Sequence, residues 1–399
     1  MIRQLLHIRA FALRPRFTLA LLATSPLALG AAVDYEILEH VSIYEKRDAY
    51  CAWPAIARTP EGDVVVTYTR SEEHLGPDGQ ILLSRSSDNG RTWQPPVVVY
   101  DTPLDDRESG LTTLADGRLL MHLRTTQWRP TNYANLPPLA YEQATLNRWI
   151  THVDTPEYRA AAGFEGEWHT VSEDGGHTWS HAVPGHDSIH GGVHLQNGEI
   201  LIAAYRPHPD QVGVYVGTHP MGRFEQTALL DAPTPDRLRF GEPHVLQLRS
   251  GRVLMAIRAT SRPYDDKSPL SYVYLTHSDD HGRTWAEAQK LPFWGFPPHL
   301  LQLSDGRVVL TYGHRRAPYG QRAAISDDGV TWKLENEIIL RDDAPNKDLG
   351  YPVSIELEPG RILTVYYQPN VPADANPRMQ PPDPDRVKPG ILGTIWQLK

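Results

Sequence analysis

The chain has 399 residues with a formal net charge of −9, 40% hydrophobic and 22% charged residues, 30 glycines and 35 prolines. That mixture describes a turn-rich globular protein and excludes both a disordered chain and a bundle of membrane spans. The acidic balance argues against nucleic acid or an anionic lipid surface as partner, and one cysteine, Cys51, leaves no internal disulfide to form.

The first predicted element is an export signal over residues 1–32. Arg3, Arg9, Arg14 and Arg16 precede the apolar run FTLALLATSPLALGAA, which ends in small residues. The run is too short to span a bilayer, and Pro26 interrupts it. Cleavage there removes four arginines and no acid, which takes the charge from −9 to −13. The expected location is periplasmic or extracellular. No cysteine sits where a lipobox needs one, so no membrane anchor of that kind is expected.

Residues 33–399 read as a single domain in which one pattern returns six times: apolar strand, Gly-centred turn, apolar strand. The copies are WPAIARTPEGDVVVTY from Trp53, ESGLTTLADGRLLMHL from Glu108, IHGGVHLQNGEILIAAY from Ile189, EPHVLQLRSGRVLMAIR from Glu242, PPHLLQLSDGRVVLTYGHR from Pro297 and YPVSIELEPGRILTVYY from Tyr351. Turn glycines between β-branched flanks predict a hairpin at each. The spacing leaves room for two more strands per unit. Six four-stranded units arranged radially make an all-β, six-bladed β-propeller, which shields the edges that so many strands expose. The last strand, ILGTIWQLK, is expected to close the ring by pairing with the first unit.

A second repeat is SSDNGRTW from Ser86, echoed as SEDGGHTW from Ser172, SDDHGRTW from Ser278 and, worn, ISDDGVTW from Ile325. Each copy lies downstream of its unit's first hairpin and so turns a later pair of strands. Asp88, Asp174, Asp280 and Asp327 are expected to accept turn N–H groups, and Gly90, Gly176, Gly282 and Gly329 to adopt positive φ. Trp93, Trp179, Trp285 and Trp332 would pack over the turn. Four equivalent copies are masonry, not a catalytic site.

The pattern S-x-D-x-G-x-T-W is the Asp-box, and its repetition in a propeller resembles the sialidase (neuraminidase) superfamily over about residues 40–399. Counted back nine residues from each turn glycine, Trp53, Glu108, Ile189, Glu242, Pro297 and Tyr351 share a register where inner strands begin near the axis. Two residues on, Ala55, Gly110, Gly191, His244, His299 and Val353 share the same face one step deeper. The resemblance implies a tyrosine nucleophile, Tyr351, activated by Glu242, with Arg258 in LMAIRAT binding a substrate carboxylate. A phenol is a weak nucleophile near neutral pH, so a base within reach is what makes that pair intelligible.

Departures and open assignments accompany the resemblance. The first-hairpin arginine is missing, because Ala52-Trp53-Pro54 stands where the family has R-I-P; Arg107, Arg70, Arg124 and Arg206 are the substitutes considered. The third arginine is one of Arg315, Arg316 and Arg322. The acid/base aspartate falls in the loop RSEEHLGPDGQ, where Glu72, Glu73 and Asp78 are candidates and His74 stands beside them. His190, His244 and His299 gather at the hairpin starts, with His314 beyond, as structural residues or, for His244 and His299, as proton carriers, while His190, Trp53 and Glu108 are candidate substrate contacts.

No spacing matches a zinc motif, and neither a metal nor a cofactor is expected. The segment from about 127 to 168, inserted after the second hairpin, has helical spacing. It reads either as a lid, with Trp128 and Tyr133 facing sugar, or as a peripheral decoration. The resemblance implies an exported exo-acting glycoside hydrolase acting on sialic acid or a related acidic sugar of a glycan or glycoconjugate. A polysaccharide lyase using His244 or His299 beside a uronate, and a non-catalytic glycan-binding propeller, remain the alternatives.

Overall fold

Among the residues that the computed structural model describes, every strand belongs to one of six four-stranded antiparallel sheets. The structure describes residues 33–129, 143–205, 208, 210–265, 268–370 and 387–399. The export signal, Tyr133, Arg206 and most of the Pro-rich stretch before Lys388 lie outside the described residues. Blade one runs outward through Tyr50–Arg58, Val64–Ser71, Gln80–Ser86 and Val97–Tyr100. The same meander recurs from Asp105, Val193, Leu238, Pro298 and Gly350. Middle strands such as Val64–Ser71 and Gln80–Ser86 are buried on both faces, because each sheet is sandwiched between two others.

Ring closure differs from the expectation. The last strand, Pro389–Leu398, is the third strand of blade six, and it pairs with the N-terminal strand Tyr35–Tyr44, not with the first unit. The chain start precedes the first hairpin and so is free to supply blade six with its outer strand. Main-chain hydrogen bonds thereby lock the strands Tyr35–Tyr44 and Pro389–Leu398 together, with Trp396 wholly buried behind them.

The Asp-boxes lie between third and fourth strands in blades one, two, four and five. In the first, Ser86 Oγ donates to Asp88 Oδ1 (2.8 Å), which accepts the Thr92 N–H (2.9 Å), while Trp93 Nε1 donates to Gly90 O (3.0 Å). Hydrogen bonds from Thr92 hold the Asp88 carboxyl at about 2. The worn fourth box is one residue shorter: Ser326 Oγ donates to Asp328 Oδ1 and Thr331 to both Asp328 oxygens. Asp328, not Asp327, is therefore the turn acceptor.

Each box glycine abuts a leucine of the preceding blade. A Cβ on Gly90, Gly176, Gly282 or Gly329 would approach Leu363, Leu83, Leu201 or Leu254 to within 2.2–2.9 Å. The boxes mortar neighbouring blades together as well as turning the chain.

The insertion in blade two contains helix α1 (Gln143–Val153) and helix α2 (Pro156–Ala160), the latter capped by Thr155 with Pro156 in its first turn. It docks on the loop after the first hairpin: Glu72 accepts from Trp149 Nε1 (2.9 Å) and pairs with Arg148. Trp128 is buried edge-on against Trp149, and its N–H donates to Tyr158 Oη (2.6 Å). It is thus a core residue of the insertion, not a sugar platform.

Gly282→Ala should destabilise the protein by about 2 kcal/mol or more, since it combines a strained φ of 85° with a clash of the added Cβ against Leu201 Cδ1. Asp280→Ala should cost about 1–2 kcal/mol in lost turn hydrogen bonds. Urea unfolding midpoints of the two variants check both the values and their order.

Candidate active site

Four of the six inner strands carry a bulge at the same register, and each bulge holds a non-glycine residue in the left-handed region. These are Trp53 (φ 55°), Glu108 (φ 60°), Glu242 (φ 45°) and Tyr351 (φ 51°). A bulge re-aims one side chain out of the regular alternation. The conformation costs each residue on the order of 1–2 kcal/mol, and such strain concentrates at functional sites.

Two of these residues meet. Tyr351 Oη donates to Glu242 Oε1 at 2.7 Å, and Arg258 Nη1 donates to Oε2 at 2.7 Å. Tyr351 is 5% exposed, and the Glu242 and Arg258 side chains are 13% and 15% exposed. Burial pushes the Glu242 carboxyl up, but the Arg258 charge and the hydrogen bonds from Arg258 and Tyr351 outweigh it, so it lies below the usual range. Burial and the facing Glu242 carboxylate push the Tyr351 phenol well above its usual value. An ionised base thus holds the proton of a neutral phenol.

Arg315 is the third-arginine candidate that reaches this pair. Its guanidinium carbon lies 5.9 Å from the Tyr351 ring, with Nη2 donating to Tyr367 Oη (3.1 Å) and Nε to Leu349 O (2.8 Å). Arg316 stacks on Trp294 and Arg322 bonds main-chain carbonyls instead. Beside Glu242 a pocket of about 110 Å³ opens, lined by Tyr205, Arg239, Arg258 and Thr260 among others.

A second cluster adjoins the first. Tyr50 Oη donates to Asp348 Oδ1 (2.8 Å) and contacts His74 Nδ1; His74 Nδ1 is 3.5 Å from the same carboxylate oxygen. Since the phenol has a single proton, Nδ1–H donates to Tyr50, which leaves Nε2 as the outer nitrogen. Burial pushes Asp348 up, but the nearby His74, the bond from Tyr50 and the charge of Arg315 hold it below the usual range. Trp53 links the clusters, edge-on to His74 at 5.3 Å and to Tyr351 at 6.5 Å between ring centroids.

Other candidates are placed elsewhere. Arg107 lies 4.8 Å over Trp53, but its Nε pairs with buried Asp105 (2.9 Å) and its Nη2 donates to His74 O, so it braces the site. Arg70 bonds Gln80 (3.1 Å), and the charge of Arg124 acts on Asp105. Glu73 pairs with Lys388 (2.8 Å), and Asp78 caps the Glu72 N–H and is raised by burial. Glu108 is buried and close enough to oppose ionisation of Tyr351.

His190, His244 and His299 meet near Tyr351, with His244 and His299 stacked at 4.0 Å and His190 6.0 Å from the Tyr351 ring. Among the described residues no group of three or more His, Cys, Asp or Glu is placed to hold a metal ion. Sequence reasoning missed Tyr50, Asp348 and Tyr367. Tyr50 and Asp348 each stand three residues before a bulge position, as do Asp105 and Arg239. That register was readable.

The fold and site define a six-bladed Asp-box propeller with a tyrosine, glutamate and arginine converging near its axis. Residues 138–364, more than half of the chain, match the BNR repeat-like domain family, and the chain belongs to it. The sialidase of Micromonospora viridifaciens is 24% identical over 292 residues, 69% of this chain and 34% of that protein; the match thus spans about a third of that relative's length.

A protein of unknown function from Dyadobacter fermentans DSM 18053 shares the fold with a TM-score of 0.69 and 24% identity, over 92% of this chain and 99% of that one. So does a Penicillium chrysogenum alpha-L-arabinanase complexed with arabinobiose, with a TM-score of 0.58 and 15% identity, over 90% and 98%. Sialidases are also among the solved structures with this fold.

Burial keeps several histidines neutral: His190 and, in blade two, His169 are lowered to about 4, and His122, His244 and His299 are also lowered. The unfolded chain takes up these protons near 6.5 while the folded chain does not, so stability rises with pH across that interval. It should therefore fall as pH drops from about 6.5 towards 4. Denaturant midpoints measured across that range check the direction.

Proposed function

We propose that the protein is an exo-acting glycoside hydrolase of the sialidase type, acting outside the cytoplasm on a terminal sialic acid or related acidic sugar. The observation that carries this reading is the buried contact of Tyr351 Oη with an ionised Glu242 that Arg258 holds from its other oxygen. As the phenol oxygen bonds to the anomeric carbon, Glu242 takes its proton and the bond to the leaving-group oxygen breaks. The acid in this step is the His74 imidazolium, whose Nδ1–H stays on Tyr50 while Nε2–H protonates that oxygen, with Asp348 as counter-charge. Water then attacks the anomeric carbon, gives its proton to His74, and releases Tyr351, which recovers its own from Glu242. Two displacements retain configuration.

His74 takes the proton-donor role because the loop's carboxylates are engaged elsewhere, Glu72 and Glu73 with Arg148 and Lys388 and Asp78 in a turn. Arg258 and Arg315 would hold the sugar carboxylate, two guanidinium groups where the resemblance leads one to expect three. That reduced clamp favours a smaller or more weakly held acid than full sialic acid recognition requires. The same fold in an arabinanase makes a sugar other than sialic acid a natural part of the test. For elimination at His244 or His299 the geometry offers no support: they stack on each other, and His244 Nδ1 accepts the Leu300 N–H.

Incubation with an aryl sialoside, aryl uronides and an aryl arabinofuranoside in oxygen-18 water should place label in the released sugar. An unlabelled, unsaturated product would refute hydrolysis. Tyr351→Phe should abolish turnover. His74→Gln should lower kcat/KM, which reports only the step that expels the leaving group, about 10²–10⁴-fold on alkyl glycosides and far less on 4-nitrophenyl ones, whose leaving group needs no proton. Equal losses on both would remove His74 from that role.

A further inference from the structure

His190 is 4% exposed, yet neither ring nitrogen has a hydrogen-bond partner among the described residues. His299 is 8% exposed with its Nδ1 likewise unpaired. Leaving such groups unpaired in a buried site is unfavourable, and native proteins seldom do it away from a functional site. These two sit together: the His190 ring is 5.8 Å from His299, 5.7 Å from His244 and 6.0 Å from Tyr351, centroid to centroid. Glu242 is near enough to act on His190 electrostatically. Three consecutive blades thus bring imidazoles together beside the nucleophile pair.

We propose that His190, with His299 beside it, is a substrate-binding subsite for a hydroxyl group of the sugar ring. A neutral imidazole has one donor and one acceptor nitrogen, which is the complement of a hydroxyl and of neither a carboxylate nor an ammonium. The rings of His244 and His299 add an apolar wall of stacked faces, and His244 Nδ1 is already taken by the Leu300 N–H, which leaves His190 and His299 to bind. A hydroxyl held here strengthens discrimination where the arginine clamp is reduced, because a buried polar site rejects an analogue that cannot pair with it far more strongly than an apolar pocket does. The subsite deepens the proposed hydrolase reading and rests on it for the identity of the sugar.

The test uses the full chain, the aryl glycoside that wild type hydrolyses best, and its monodeoxy analogues. His190→Phe should lower kcat/KM about tenfold or more, chiefly through KM, while His190→Gln, which keeps a donor and an acceptor, should recover most of it. One deoxy analogue should be a poor substrate for wild type and lose nothing further in His190→Phe. Wild-type KM in both variants, or the same loss on every analogue, overturns the subsite.

If wild type hydrolyses none of the glycosides, the hydrolase reading fails separately, and the subsite is decided by binding. Free N-acetylneuraminate, D-galacturonate and L-arabinose are titrated into protein with ¹⁵N-labelled histidine. A shift of the His190 ring resonances supports the subsite, and no shift with any of them overturns it.

Discussion

The contact on which the site depends is the carboxylate of Glu242, held between a guanidinium and a phenol. A buried carboxylate with no cation beside it takes up a proton, and a protonated Glu242 could not act as a base. Arg258, sixteen positions downstream on the adjacent strand of the same blade, supplies that charge within 2.7 Å. Tyr351 comes from a different blade and completes the chain of bonds across a sequence separation of 109 residues. Removing one member leaves another buried and uncompensated, which is why the three are best understood as one unit.

Holding that unit in place is a problem of shape. Regular strands point alternate side chains into the sheet-to-sheet interfaces, so an inner strand with no bulge would aim fewer groups at the axis. The left-handed residues at Trp53, Glu108, Glu242 and Tyr351 are the local answer, and they are strained. The Asp-boxes, the leucines under their glycines and the paired strands Tyr35–Tyr44 and Pro389–Leu398 provide the stiff ring that keeps the strain from relaxing. Masonry and chemistry are separate in position and joined in energy.

The departures from the sialidase pattern form a consistent set. Where the first arginine would stand there is Ala52, and Trp53 turns inward to contact both His74 and Tyr351. Arg107 covers the Trp53 ring while Asp105 neutralises it, so it packs without adding free charge to the site. The charge balance has thus shifted from three guanidinium groups towards imidazole and aromatic surface. Asp348, Tyr50 and Tyr367 then connect His74 to Arg315 through hydrogen bonds, so the two clusters respond to one another.

The sequence by itself determined the fold, since hairpin and Asp-box signals depend on residues adjacent in the chain and recur often enough to be recognised. The turn-glycine register also put Glu242 and Tyr351 at equivalent positions, and one strand pairing carried Arg258 with them. What it left open were relations between blades. Arg70 and Arg107, or Glu73 and His74, are rival candidates along the chain, and only packing decides which has a partner elsewhere: Arg70 has Gln80, Arg107 has Asp105 and Glu73 has Lys388. The choice among Arg315, Arg316 and Arg322 turned on which stacks where. Asp348 was hidden because its partners, Tyr50 and His74, lie on the far side of the closure between the last blade and the first. Distances across that seam exist only once the ring is closed, and no spacing along the chain encodes them.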